Sequence, residues 1–331
     1  MFNDVNWALA INALGRYRKE NPNVYIKKNM FFRPMRRSFE SRVRSRGISW
    51  IGSRHLGMIF HGLGSIGVRS VPLMSEIDAS SRSVVNSSSA QTLSMISYTF
   101  AKLRGPTCHH GEKYFDALVS DRRALERLTV EGSVQHIYNV LWSLAKVKHE
   151  RGGRNVRDAV DNEAVAKYVV GNGSTQEISG IFKSLAIMGL DCKALVKVLQ
   201  EDSEALGVIM EDASSKHISS LVWSLGMMGC GPWGFGPAAT RSEVVEYVLG
   251  EGDYKAISAY VWGLAAMGVK SEAVVEGMGR KDVIEEVEKG GEEILEITDW
   301  ALEKIRGEGG MERTKIRKLR DGEKSVRVLR G

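Results

Sequence analysis

Apolar residues recur along this chain at helical spacing, and the pattern itself recurs about every 40 residues. The segments GMIFHGLGSIG (57–67), SMISYTFAKLR (94–104), YNVLWSLAKVK (138–148), SGIFKSLAIMG (179–189), SSLVWSLGMMG (219–229) and SAYVWGLAAMG (258–268) align without gaps. Their central residues are His61, Tyr98, Trp142, Lys183, Trp223 and Trp262, at intervals of 37, 44, 41, 40 and 39. Apolar residues flank each centre in a fixed frame, as at Ile218, Leu221, Leu225 and Met228 around Trp223. That is the i, i+3, i+7, i+10 stripe of an amphipathic helix. A degraded copy is centred on Trp300, and VNWALAINALG (5–15) reads as a first one.

The ends of the helices are marked as well. Nine residues before the centre stand Ser89, Ser133, Ser174, Ser214 and Asp253, whose side-chain oxygens suit a helix N-cap. Ser174 and Glu177 have the spacing of a capping box. Gly189, Gly229 and Gly268 suit a left-handed C-terminal cap. Small residues follow the centre, at Ser143 and Ala145, Ser184 and Ala186, Ser224 and Gly226, Gly263 and Ala265, which would let neighbouring helices approach closely. A second amphipathic segment precedes the cap in several copies: ALVSDRRALERL (117–128), NEAVAKYVV (162–170), SEVVEYVL (242–249) and DVIEEVE (282–288).

A two-helix unit cannot bury its apolar face alone, so the units must stack. The fold expected is all-α, an α-solenoid of six to eight helical-hairpin repeats with a period near 40 residues. Residues 1–22 form a partial first repeat, 23–47 a basic linker or insertion, 48–306 the array and 307–331 a basic disordered tail.

Composition narrows the classes. Six prolines and no apolar run of 18 residues exclude collagen-like and helical membrane-spanning chains. Cys108, Cys192 and Cys230 fit neither a disulfide framework nor zinc spacing, which points to a reducing compartment. The formal charge of +6 hides a gradient: residues 1–200 hold 29 Lys and Arg against 16 Asp and Glu, whereas residues 201–300 hold 7 against 19. A polyanion is expected to be drawn to the first stretch and repelled by the second.

The run RRALERLTVEGSVQHIYNVLWSLAKVK (122–148) resembles the helical repeats of octotricopeptide-repeat proteins and of FAST-kinase-like organellar RNA-binding proteins. It is also similar to repeats of the trypanosome RNA-editing substrate-binding complex. The resemblance covers roughly residues 48–306 and implies single-stranded RNA as partner, in mitochondria or plastids, in transcript stability, processing or translation. Lys102 and Lys146 match the Lys of the family pattern. The RNA-binding candidates are Lys102, Arg104, Asn139, Lys146, Lys148 and Lys183. Tyr98, Trp142, Trp223 and Trp262 could stack bases; filling space between stacked helices is the favoured reading.

A further basic patch comprises Arg33, Arg36, Arg37, Arg42, Arg44 and Arg46. The stretch from Met30 is Arg-rich and poor in acids, as transit peptides are. It is either a basic loop within the array, the preferred reading, or marks a start at Met30 or Met35; no clear targeting peptide opens at Met1.

Catalytic signatures are weak. Gly62, Gly64 and Gly67 spell GxGxxG, but inside a repeat helix rather than after a strand. Cys108, His109 and His110 are adjacent rather than convergent and read as a loop insertion. Residues 231–237 (GPWGFGP) lack the Lys of a P-loop and suggest an exposed connection offering Trp233 and Phe235 to a partner. The expectation is a non-enzyme with no cofactor, no metal, no membrane contact and no small-molecule substrate. The rival is a protein scaffold whose acidic repeats hold a basic partner.

Overall fold

The computed structural model describes residues 3–103, 110–149, 153–232 and 234–307. All regular structure among them is helical, and the chain divides into two compact units, Met1–Val160 and Asp161–Gly331. The first unit contains α1 (Asp4–Glu20), α2 (Phe32–Arg46), α3 (Ser53–Ile66), α4 (Val71–Ala79), α5 (Ser81–Ser87), α6 (Ala90–Leu103), α7 (Glu112–Ser120), α8 (Arg122–Val130), α9 (Val134–Lys146) and α10 (Gly153–Val160). The second contains α11 (Glu163–Asn172), α12 (Thr175–Ile187), α13 (Lys193–Glu201), α14 (Ser203–Asp212), α15 (Ser215–Met227), α16 (Phe235–Ala239), α17 (Ser242–Glu251), α18 (Tyr254–Ala266), α19 (Glu272–Met278), α20 (Lys281–Glu288) and α21 (Glu292–Arg306).

Within each unit the repeat helices pack in chain order as a row: α1, α3, α6 and α9 in the first, α12, α15, α18 and α21 in the second. The remaining helices form a second layer. This sequential packing is that of an α-solenoid.

Tight packing of the row rests on the small residues. A Cβ on Gly263 would stand 2.5 Å from the Val222 carbonyl oxygen, and one on Gly226 would stand 2.9 Å from that of Gly263. Where the first of these slots is serine, the hydroxyl is satisfied within its own helix. Ser143 donates to the Asn139 carbonyl at 2.5 Å, Ser184 to Gly180 at 2.7 Å and Ser224 to Ser220 at 2.5 Å. Serine there is small and leaves no donor unpaired in the seam. GxGxxG is part of the same packing: Gly62 faces the Ile11 backbone and Gly64 faces Thr99.

Helix ends follow the expected chemistry closely. Ser174 accepts from the Glu177 N–H at 3.3 Å, and the Glu177 carboxylate accepts from the Ser174 N–H at 2.9 Å, completing the capping box. Asp253 accepts from the Ala256 N–H at 2.8 Å. Ser214 occupies its cap position without a side-chain cap bond. At the other end, the same paired backbone bonds close α3, α9, α12, α15 and α18. The turning residue is Gly67, Gly189, Gly229 or Gly268, all at positive φ, but in α9 it is Lys148 at φ 52°.

Several expectations need correction. The basic stretch expected to run as a loop is helix α2, which buries Phe32, Phe39 and Val43 at i, i+7 and i+11. The second arm of the repeat is two short helices rather than one. The segment 117–128 breaks at Asp121, which ends α7 and caps α8 by accepting from the Ala124 N–H at 3.0 Å. Asp202 makes the same break between α13 and α14.

The first repeat also engages three residues later than the alignment suggests. Ile11 and Asn12 lie against Gly62 as Val222 and Trp223 lie against Gly263, while Leu9 is 58% exposed. Phe235, expected to be exposed, is fully buried in α16. Arg104, Cys108, His109, Trp233 and residues 308–331 of the basic tail lie outside the described residues.

Two buried tyrosines tie the layers together. The Tyr114 hydroxyl of α7 donates to the Leu93 carbonyl of α6 at 3.1 Å, and the Tyr260 hydroxyl of α18 donates to the Ala239 carbonyl of α16 at 2.5 Å.

Candidate nucleic-acid interface

Each aligned row helix leaves a stripe accessible at positions seven and three before the centre and four after it, and at the centre in all but α15. In the first unit the stripe reads Arg54, Met58, His61, Ser65 on α3; Gln91, Met95, Tyr98, Lys102 on α6; and Gln135, Asn139, Trp142, Lys146 on α9. No carboxylate occurs anywhere in these three helices. The first residue of each set is exposed and the centres are half-buried.

The centres form a continuous ring ladder. His61 and Tyr98 lie 6.0 Å apart between centroids, and Tyr98 and Trp142 lie 5.2 Å apart. Lys146 Nζ stands 4.6 Å from the Trp142 centroid and Lys102 Nζ 5.7 Å from that of Tyr98, the geometry of cation–π contacts. Lys102 and Lys146 make no ion pair with a described residue.

The charges on this face repel one another. Partial burial, then the charges of Lys19 and Lys146, hold the Lys102 ammonium below its usual value. Burial, then Lys102 and Lys19, do the same for His61. Lys19, on the last turn of α1, joins the cluster through packing that the repeat alignment does not contain.

The other candidates separate. Lys148 is exposed at the left-handed cap just beyond Lys146. Asn139 is half-buried, and its amide donates to Ser94 Oγ at 3.1 Å, binding α9 to α6. Lys183 is half-buried at the centre of α12 in the second unit. Of the arginine patch, Arg33, Arg37, Arg44 and Arg46 are exposed on α2. Arg36 pairs with Glu40 at 3.5 Å, and the Arg42 guanidinium lies 4.3 Å over the Trp50 ring.

The aromatic centres differ in burial. Trp223 is 2% exposed and fills the seam, whereas Tyr98 and Trp142 keep accessible area.

In the second unit the acids of residues 201–300 are sorted by layer. α14, α17, α19 and α20 carry Glu204, Glu211, Asp212, Glu243, Glu246, Glu251, Glu272, Glu276, Asp282, Glu285, Glu286 and Glu288. Row helices α15 and α18 carry none. A charge sum along this stretch therefore mixes two layers of different charge. Only the last row helix, α21, is acidic. Lys216 and Lys255, which are not among the sequence-derived candidates, stand seven before their centres at the position of Arg54, just ahead of the aligned segments.

Among the described residues no group of three or more His, Cys, Asp or Glu is placed to hold a metal ion, and no helix is long and apolar enough to cross a membrane. No protein-family model matches the chain, and no curated protein matches it.

Proposed function

We propose that this chain is a non-catalytic binder of single-stranded RNA, acting through the accessible stripe of the row helices. The observation that supports this reading is the ladder His61–Tyr98–Trp142, bordered by Lys102 and Lys146 on helices without a single carboxylate. Ammonium groups with no ion pair among the described residues, beside half-buried rings, suit phosphates and stacked bases, the two features that every single strand offers. Because His61, Tyr98 and Trp142 cover part of one another's faces, the lysines carry more of the affinity than the rings. The resemblance of residues 122–148 to organellar RNA-binding repeats supports the same ligand and a mitochondrial or plastid setting.

The test is a salt titration of binding to a labelled oligouridylate, followed by fluorescence anisotropy. For single strands the logarithm of affinity falls by about 0.7 per log unit of salt for each phosphate neutralised. Replacing Lys102, Lys146 and Lys148 together with Ala should flatten the slope by about 2 and weaken all sequences alike. An unchanged slope would overturn the reading.

The exposed acids of α17, α19 and α20 favour a second reading, a scaffold for a basic protein. Absence of RNA binding by the intact chain at low salt would leave that reading in place.

A further inference from the structure

We propose that the second unit carries an anion-binding face of its own, on which Lys183, Lys216 and Lys255 hold phosphates of a single-stranded nucleic acid beside the Trp223–Trp262 pair. The inference rests on the RNA-binding reading above and extends it to the part of the chain richest in acids.

Selective pairing is the first argument. On the second layer of this unit three lysines are matched to carboxylates four residues away: Lys167 with Glu163 at 2.6 Å, Lys197 with Glu201 at 4.0 Å and Lys281 with Glu285 at 3.6 Å. Lys183, Lys216 and Lys255, on row helices α12, α15 and α18, make no ion pair with a described residue. Pairing at i, i+4 costs a helix nothing and recurs on the second layer. Helices α12, α15 and α18 leave it out.

The second argument is the stripe itself, accessible at every position but the buried Trp223. It reads Gln176, Gly180, Lys183, Ile187 on α12; Lys216, Ser220, Trp223, Met227 on α15; and Lys255, Ala259, Trp262, Ala266 on α18. Lys216 and Lys255 are exposed at the same position of successive helices, and the rings of Trp223 and Trp262 lie 6.5 Å apart. The one acid on these helices is Glu177, whose carboxylate is engaged by the Ser174 N–H and hydroxyl at 2.9 and 2.8 Å. On α21 the corresponding position is Glu293, so the basic face ends at α18.

Lys183 is the third. Burial, then the charges of Lys216 and Lys255, hold its ammonium below its usual value. A half-buried ammonium facing two like charges gains more from an approaching phosphate than a solvated one does.

Compared with the first unit, the charge has moved along the helices. Lys102 and Lys146 follow their centres, whereas Lys216 and Lys255 precede theirs.

The experiment uses the full chain, a labelled oligouridylate and a salt titration. K183Q/K216Q/K255Q should flatten the slope by about 2, and K216Q/K255Q, which leaves the half-buried position intact, by about 1.4. The Arg versions of the same sites should restore it, and K197Q/K281Q on the second layer should leave it unchanged. Circular dichroism checks that each variant is folded. If the double and triple variants keep the wild-type slope while K102A/K146A loses it, this inference fails and the first-unit reading stands. If K102A/K146A has no effect and K216Q/K255Q flattens the slope, the ladder reading fails and this one stands. An intact chain that binds no RNA overturns both.

Discussion

Gly263 of α18 lies so close to α15 that a Cβ built on it would stand 2.5 Å from the Val222 carbonyl oxygen. Backbone cannot yield as a flexible side chain can, so Gly263→Ala should destabilise the second unit by about 1–3 kcal/mol. Gly207, inside α14, has nothing within 4 Å of its Cβ position. Gly207→Ala should therefore stabilise by about 0.5–1 kcal/mol, through helix propensity alone. Urea denaturation of the two variants checks both signs, and a neutral Gly263→Ala would mean the row is looser than described.

Caps offer a second contrast. Ser174 holds a complete capping box, so Ser174→Ala should cost about 1 kcal/mol. Ser214 fills the same position in α15 without a side-chain cap bond. Ser214→Ala should cost far less, and equal losses at the two sites would contradict the cap geometry.

Lys148 takes the left-handed conformation, φ 52°, that four other row helices give to glycine. Lys148→Gly should raise stability by about 1 kcal/mol, by removing the Cβ clash. The same variant should weaken RNA binding and flatten the salt slope by about 0.7, the share of one phosphate. Gain in stability with no change in binding would assign Lys148 no role at the interface.

Acid should loosen the fold through its histidines. Burial holds His61, His136 and His217 below the usual imidazole value, with Lys102 and Lys19 adding to the effect at His61 and Lys216 at His217. Between the folded and unfolded pKa values the unfolded chain binds more protons. Their contribution to stability is thus complete above an unfolded pKa of about 6.5 and is lost as pH falls below it. Chemical denaturation between neutral and mildly acidic pH should show the decline. A variant with all three replaced by Gln should show a shallower one.

Much of the row was legible because its causes are local. Ser174 and Glu177 are three residues apart, Leu221 and Leu225 four, and each pairing needs only one helix to be meaningful. Helix α2 was harder, since its apolar set of Phe32, Phe39 and Val43 is sparse among arginines and resembles a loop in composition. The register of α1 was misplaced because VNWALAINALG matches the repeat equally well in a frame that leaves Leu9 in water. Only the seam with Gly62 selects Ile11 and Gly15 instead.

The sequence by itself determined the repeat helices, their caps and the small residues between them, because helical spacing and capping act over a few residues. Tertiary structure decided which charges share a surface. Lys19, His61, Lys102 and Lys146 come from four separate segments, and only packing of successive row helices makes them one cluster. The acids of residues 201–300 alternate along the chain with Lys216 and Lys255, yet folding assigns most of them to the second layer and these lysines to the row. A charge sum along the chain cannot show that separation, because the electrostatic field at a surface depends on distance in space.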